Sequence, residues 1–150
     1  MHTPTFRVQQ IDHVELFVPD RYQAAQWYER VLGLQIVREC EAWAADGGPL
    51  MISSDDGNTK LALFEGQPAA APPTAAFRRV AFKVTGHGFG EFLSRLPELA
   101  LVDSRRRPVT AEAVVDHQQA YSIYFCDPHE HLLEVTTYDY DVVSALLAAL

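Results

Sequence analysis

The segment Val115 to Glu134, VDHQQAYSIYFCDPHEHLLE, spaces a His, a Tyr and a Glu so that one site could use all three. An imidazole exchanges a proton, a phenol orients a ligand by hydrogen bonding, and a carboxylate holds a cation. Tyr121 to Cys126 and Leu132 to Tyr138 are β-branched, aromatic and apolar runs, and Asp127-Pro128 between them reads as a turn. If the turn folds the runs side by side, Tyr124 and Glu134 share a sheet face. A carboxylate among apolar strand residues is costly to bury alone, so Glu134 calls for a cation or a proton.

The elements that must position these groups are set by an internal repeat. Ile11 to Val18 (IDHVELFV) aligns with Phe77 to Val84 (FRRVAFKV) at an offset of 66, as follows from the numbering. Val14, Leu16 and Val18 match Val80, Phe82 and Val84 on one strand face, and His13, Glu15 and Phe17 match Arg79, Ala81 and Lys83 on the other. After the first strand, Asp20 is a candidate N-cap, and Tyr22 to Leu32 with Gly33 behind it predicts a helix. Strand-like runs follow at Leu34 to Cys40, Leu50 to Ser54 and Thr59 to Glu65, the last two parted by the turn-prone Asp55-Asp56-Gly57-Asn58. The second half repeats the order, with a helix near Phe89 to Leu96 and runs at Ala111 to Asp116, Ala120 to Cys126 and Leu132 to Tyr138. The chain is thus expected to be one domain over 1–150. Module one spans 8–66, a linker 66–76, module two 77–138 and a C-terminal helix 140–150, the helix docked on its own chain or forming a dimer contact.

At 150 residues the chain is long enough to bury a core without staples. Its 48% hydrophobic and 21% charged content is that of a globular protein, and no apolar run reaches the ~20 residues of a membrane span. MHTPTFR lacks the apolar core of a secretory signal, which points to the cytoplasm. Cys40 and Cys126 have no CxxC spacing and read as two reduced thiols. With 12 basic against 20 acidic residues the net charge is −8, which disfavours nucleic acid as a partner. Arg105 to Arg107 reads as a solvated loop.

IDHVELFVPD followed by WYERVLGL, the paired βαβββ order and YFCDPHEHLLEV together resemble the vicinal oxygen chelate superfamily: glyoxalase I, fosfomycin- and bleomycin-resistance proteins and type I extradiol dioxygenases. The resemblance runs from about Val8 to Tyr138. It implies an α+β fold in which two tandem βαβββ modules form an incomplete barrel with a concave ligand site. It also implies a small-molecule ligand, a homodimer and a divalent metal such as iron, manganese, zinc or nickel. His13 and Glu134 match two of the family's metal ligands. The third is a His where this chain has Arg79, and the fourth, a Glu in glyoxalase I, aligns nearest to Leu63, with Glu65 two residues on as a conceivable substitute. His117, Tyr124, Pro128 and Glu134 fit the extradiol pattern, which would make His117 the acid/base and Tyr124 the group that holds substrate. Glu130 departs from it, standing where a Gly is usual, so a turn of different shape is expected.

Arg79 is the obstacle to a metal. A guanidinium has no lone pair to give, and at ~4 Å from a divalent ion it would add ~8 kcal/mol of repulsion at an effective dielectric of 20. Arg79 could instead form a bidentate pair with Glu134. Arg79, Glu15 and Lys83 are the candidate substrate contacts, with a Glu15–Lys83 salt bridge as the plainer alternative. His129 and His131, flanking the turn, are expected to be exposed. Trp27 and Tyr28 should pack a helix on a sheet, and Trp43 could line a pocket. Two functions follow: an enzyme acting on a small organic molecule through a metal on His13 and Glu134, or a metal-free binder resembling bleomycin-resistance proteins.

Overall fold

The computed structural model of the chain describes residues 6–7, 9–68 and 77–150, so Val8 and residues 69–76 of the expected linker lie outside the described residues. Two compact units divide the chain, Met1–Ala70 and Ala71–Leu150.

In the first unit, β1 (His13–Val18) leads into α1 (Arg21–Leu32). The helix starts where the Asp20 carboxylate accepts from the Gln23 N–H at 3.0 Å, and stops at Gly33, whose φ of 72° suits a residue without a Cβ. β2 (Gln35–Ile36), β3 (Leu50–Ser53) and β4 (Lys60–Glu65) complete a mixed sheet of order β1-β4-β3-β2. β1 runs parallel to β4, and the other pairs are antiparallel. Buried Ala24, Ala25, Tyr28 and Val31 of α1 cover the sheet's apolar residues, among them Leu50, Ile52, Leu61 and Leu63. Trp27 is half-buried and meets Tyr28 edge-on. The strand expected over Leu34 to Cys40 shrinks to two residues, because Arg38–Cys40 turns into a 3-10 helix and Glu41–Ala45 forms a short helix, α2. Glu-Ala-Trp-Ala-Ala is good helix-forming sequence, and Gly47 at φ 85° ends it. Trp43 on α2 is largely exposed.

The second unit repeats the plan with β5 (Val80–Lys83), α3 (Gly86–Leu99), β6 (Val115–Asp116), β7 (Tyr121–Cys126) and β8 (Leu132–Thr137). Its order is β5-β8-β7-β6, with β5 parallel to β8. The α+β class and the successive βαβββ modules therefore hold, and neither four-stranded sheet closes on itself. Alternation along β8 buries Leu133, Val135 and Thr137 and leaves Leu132, Glu134 and Thr136 half-buried on the other face. α3 packs on the buried face, with Phe92 5.6 Å from Phe125 between ring centroids. Each large apolar side chain buried this way contributes ~2 kcal/mol.

The apolar C-terminal stripe becomes α4 (Tyr140–Ala148), which docks on α3. The approach is close because Gly86 and Gly90 face it without side chains. A Cβ at Gly86 would lie 2.7 Å from Val142 Cγ1 and 2.9 Å from Asp139 Cβ, and one at Gly90 3.1 Å from Leu146 Cδ1. The Gly86 N–H also donates to the Asp139 carboxylate at 2.7 Å. Gly86→Ala should therefore cost ~1–3 kcal/mol by overpacking. Gly90→Ala meets only the end of a flexible leucine and gains helix propensity, so it should be within ~1 kcal/mol of neutral. Urea unfolding of both variants checks this, and a Gly86→Ala protein as stable as the parent would contradict the packing described.

Candidate functional site

On the second sheet, register decides which side chains meet. Glu134 pairs with Ala81 on one side and Tyr124 on the other, so the Tyr124–Glu134 face expected from the sequence is present. Arg79 immediately precedes β5 and comes beside Leu132. Its guanidinium carbon lies 4.5 Å from the Tyr124 ring centroid, a cation–π distance. Tyr124 hydroxyl and His117 Nε2 are 2.8 Å apart, with the rings edge-on. His117 is reached from the loop after β6, where its N–H donates to the Ala120 carbonyl at 2.8 Å. Arg79, Glu134, Tyr124 and His117 are thus brought together. Lys83, two residues beyond Ala81 on the same strand face, has its ammonium 5.9 Å from the Tyr138 ring centroid.

Among the described residues no ion pair joins Arg79 to Glu134. Arg79 Nε is buried without a hydrogen-bond partner, and among the described residues no side-chain hydrogen bond or ion pair engages the Glu134 carboxylate. The expected bidentate pair is replaced by the stack on Tyr124, which an arginine's flat, weakly hydrated head group favours.

In the first unit His13 is held from both ends. Nδ1 is 2.8 Å from Asp12 Oδ2, Nε2 is 3.4 Å from Glu15 Oε2, and Lys60 Nζ is 3.0 Å from the other Asp12 oxygen. The hydrogen bond to Asp12 raises the His13 pKa above its ordinary 6.5, and the same bond, with Lys60, lowers that of Asp12. Glu65 is not brought to His13. Val18 pairs with Glu65 while His13 pairs with Lys60, so the two side chains leave β1 and β4 on opposite faces, and Glu65 Oε2 lies 3.5 Å from Arg21 Nε. The first-sheet counterpart of Glu134 is Ala62, which faces Glu15 as Glu134 faces Ala81. Leu63, one residue on, lies on the other face of the sheet.

These donors do not fit a resident divalent metal. Both nitrogens of His13 face carboxylates, Arg79 stands in the second unit where His13 stands in the first, and Ala62 offers no donor. Among the described residues no three His, Cys, Asp or Glu side chains cluster so as to hold an ion.

The turn between β7 and β8 is built differently from expectation. Asp127 is fully buried; one carboxylate oxygen accepts from the His129 and His131 N–H groups at 2.9 Å each, and the other lies 2.6 Å from His131 Nδ1. His129 and His131 are consequently half-buried rather than exposed. Glu130 adopts φ 72°, the left-handed conformation a Gly would favour, so the turn keeps the shape expected of glycine. Glu130 also meets Arg106, itself at φ 62°, at 2.9 Å. Beside this turn lies a cavity of about 480 Å³ that includes Val102, Cys126, Pro128 and Leu132. Nothing in the sequence marked it, since Val102 comes from the loop after α3, whose partner Cys126 (N–H to Val102 carbonyl, 2.8 Å) is fixed only by the fold. Asp12, the other group missed, carried the one available signal of adjoining His13. Cys40 and Cys126 are both free, and burial pushes the Cys126 thiol pKa up.

A sequence model of the Glyoxalase/Bleomycin resistance protein/Dioxygenase superfamily matches residues 10–135. No curated protein matches the chain. Among solved structures, a glyoxalase/dioxygenase from Nostoc punctiforme is similar at 22% identity and a TM-score of 0.62, covering 92% of this chain and 97% of that one. The fosfomycin resistance protein FosX from Mesorhizobium loti is similar at 21% and 0.57, covering 87% and 93%. The oxidase ChaP-H2 is similar at 21% and 0.61, covering 89% and 97%. At such identities the likeness shows the fold alone.

Two outcomes are expected. In an NMR titration His13 should show a pKa above 6.5, returning toward it in Asp12→Asn. The sign follows from linkage: a raised folded pKa stabilises fully below 6.5, and that contribution is lost as pH rises through the raised value. An unchanged His13 titration in Asp12→Asn would contradict the contact. Separately, Glu130→Gly should be more stable than Glu130→Ala by ~1 kcal/mol in thermal unfolding, because both lose the Arg106 pair and only glycine relieves the left-handed backbone.

Proposed function

The chain belongs to the glyoxalase/bleomycin resistance protein/dioxygenase superfamily, and from that premise we propose that it binds a small organic molecule on the Glu134 face of the second sheet and transfers a proton to or from it. Superfamily members bind small-molecule substrates and often form dimers, and a cytoplasmic homodimer belongs to this reading. So do the module boundaries at 8–66 and 77–138. The observation that carries it is the 2.8 Å hydrogen bond between His117 and Tyr124 beside Glu134. A phenol held against an imidazole can pass a proton between ligand and solvent, with His117 exposed at the outer end. Arg79 and Lys83 supply the positive charge that would orient a ligand.

A second reading keeps His13 and Glu134 as ligands of a divalent metal, as superfamily members often use one. The Asp12–His13 hydrogen bond favours it, because a carboxylate on one ring nitrogen commonly fixes a histidine whose other nitrogen binds metal. The donor set described above favours the metal-free reading.

Proton transfer can be tested in D2O with aldehydes and 2-oxo carboxylates, following loss of C–H signals by NMR. Wild type should exchange at least one substrate, and Tyr124→Phe and His117→Ala should each slow it by about 10²-fold or more. Exchange that survives both substitutions would sink the proposed role. Iron, manganese, zinc and nickel added to chelator-treated protein should leave thermal stability unchanged, whereas a metal-dependent rise abolished by both His13→Ala and Glu134→Gln would favour the second reading.

A further inference from the structure

The ionic groups around the second sheet divide into those already paired and those left over. At the cavity beside the β7–β8 turn, each rim carboxylate is occupied. Asp103 accepts from the Arg105 and Arg107 N–H groups and pairs with Arg107 Nε at 2.9 Å; Asp127 is held by His129 and His131; Glu130 is paired with Arg106. A cationic ligand would find no free carboxylate there. Among the described residues, three ionic groups on the adjoining sheet face have no ion pair: Arg79, whose Nε is buried without an acceptor, Glu134, and Lys83, which lies farther along β5. Leu132 connects the two regions, since it lines the cavity, pairs with Cys126, and precedes Leu133, the register partner of Val80 next to Arg79.

We propose that Arg79, Glu134 and this cavity form one site for a small carboxylate that bears a hydrogen-bond donor at C2, a hydroxyl or an ammonium, and an apolar body. The carboxylate pairs with the Arg79 guanidinium, whose Nε has no acceptor within the protein's described residues, and a planar fork suits two oxygens on one carbon. The C2 donor supplies what Glu134 lacks. The apolar body enters the cavity over Val102, Cys126, Pro128 and Leu132, whose about 480 Å³ is within the range that takes small ligands. The Tyr124 hydroxyl, beside Glu134, is then next to C2. The proposal rests on the reading of this face as a small-molecule site and narrows it to a charge pattern.

Isothermal titration of the full chain with phenyllactate, phenylalanine, 3-phenylpropanoate, phenyllactamide and lactate tests each part without altering the protein. Phenyllactate or phenylalanine should bind, and the tighter of the two identifies the donor. Removing the donor (3-phenylpropanoate), the carboxylate (phenyllactamide) or the apolar body (lactate) should each weaken binding about tenfold or more. Arg79→Met should abolish the preference for phenyllactate over phenyllactamide, and Glu134→Gln the preference over 3-phenylpropanoate. Equal binding of acid and amide, or a preference that survives Arg79→Met, overturns the proposal. If uncharged fragments shift the Tyr124 and Glu134 amide resonances while the acids show no advantage, the charge pattern fails and the small-molecule face stands. If none of the five ligands and no fragment shifts those resonances, both fail.

Discussion

The register of β8 between β5 and β7 is the constraint on which the rest of the second unit depends. Side chains alternate with a period of two, so fixing Ala81, Glu134 and Tyr124 in one row fixes every other row of the sheet. It sends Leu133 and Val135 beneath α3 and leaves Glu134 on the open side. It sets Arg79 beside Leu132, and so next to the cavity rather than under the helix. A slip of one residue would bury Glu134 against Phe92 and Phe125 and expose the core. The apolar burial that stabilises the unit therefore holds the polar face in place, without any polar contact having to do so.

On that face, Arg79 and Glu134 have no ion pair among the described residues. A buried donor without an acceptor costs ~1–3 kcal/mol, and the Arg79 stack on Tyr124 recovers ~0.5–2 kcal/mol. The two nearly cancel, which lets Arg79 remain unpaired without unfolding its surroundings. The first unit shows the opposite solution: Lys60, Asp12, His13 and Glu15 form a chain of polar contacts in which each has a partner. The same strand position thus carries a satisfied histidine in one module and an unsatisfied arginine in the other.

Strand faces, the α1 cap and stop, and the duplicated topology were legible in the sequence because they depend on local alternation and on a few residues with strong backbone preferences. The Tyr124–Glu134 row was legible for the same reason, since a short turn joins the two strands. What failed needed register across strands far apart in the chain. Glu65 falls on the face away from His13 because β4 pairs with β1 across 41 intervening residues, Lys60 to Glu65 against His13 to Val18, and no turn sets that register. α2 was missed because five residues are too few to show helical periodicity. The cavity was illegible because it joins the loop after α3 to the β7–β8 turn, which meet through the Val102–Cys126 hydrogen bond and the Arg106–Glu130 pair, both fixed by the fold.

The β7–β8 turn shows how a residue with a side chain can hold a left-handed position without loss of the turn. Glutamate at 130 pays the strain of a left-handed backbone that glycine would not, yet the turn does not open, because the buried Asp127 carboxylate gathers three donors from His129 and His131 around it. Those bonds specify the backbone path independently of which residue occupies 130. The side chain that glycine would lack then reaches Arg106, also left-handed, and the pair closes one edge of the cavity. Glu130 therefore contributes a charge to the cavity rim without taking part in the register of β8, which is set by the strand pairs carrying Tyr124 and Glu134.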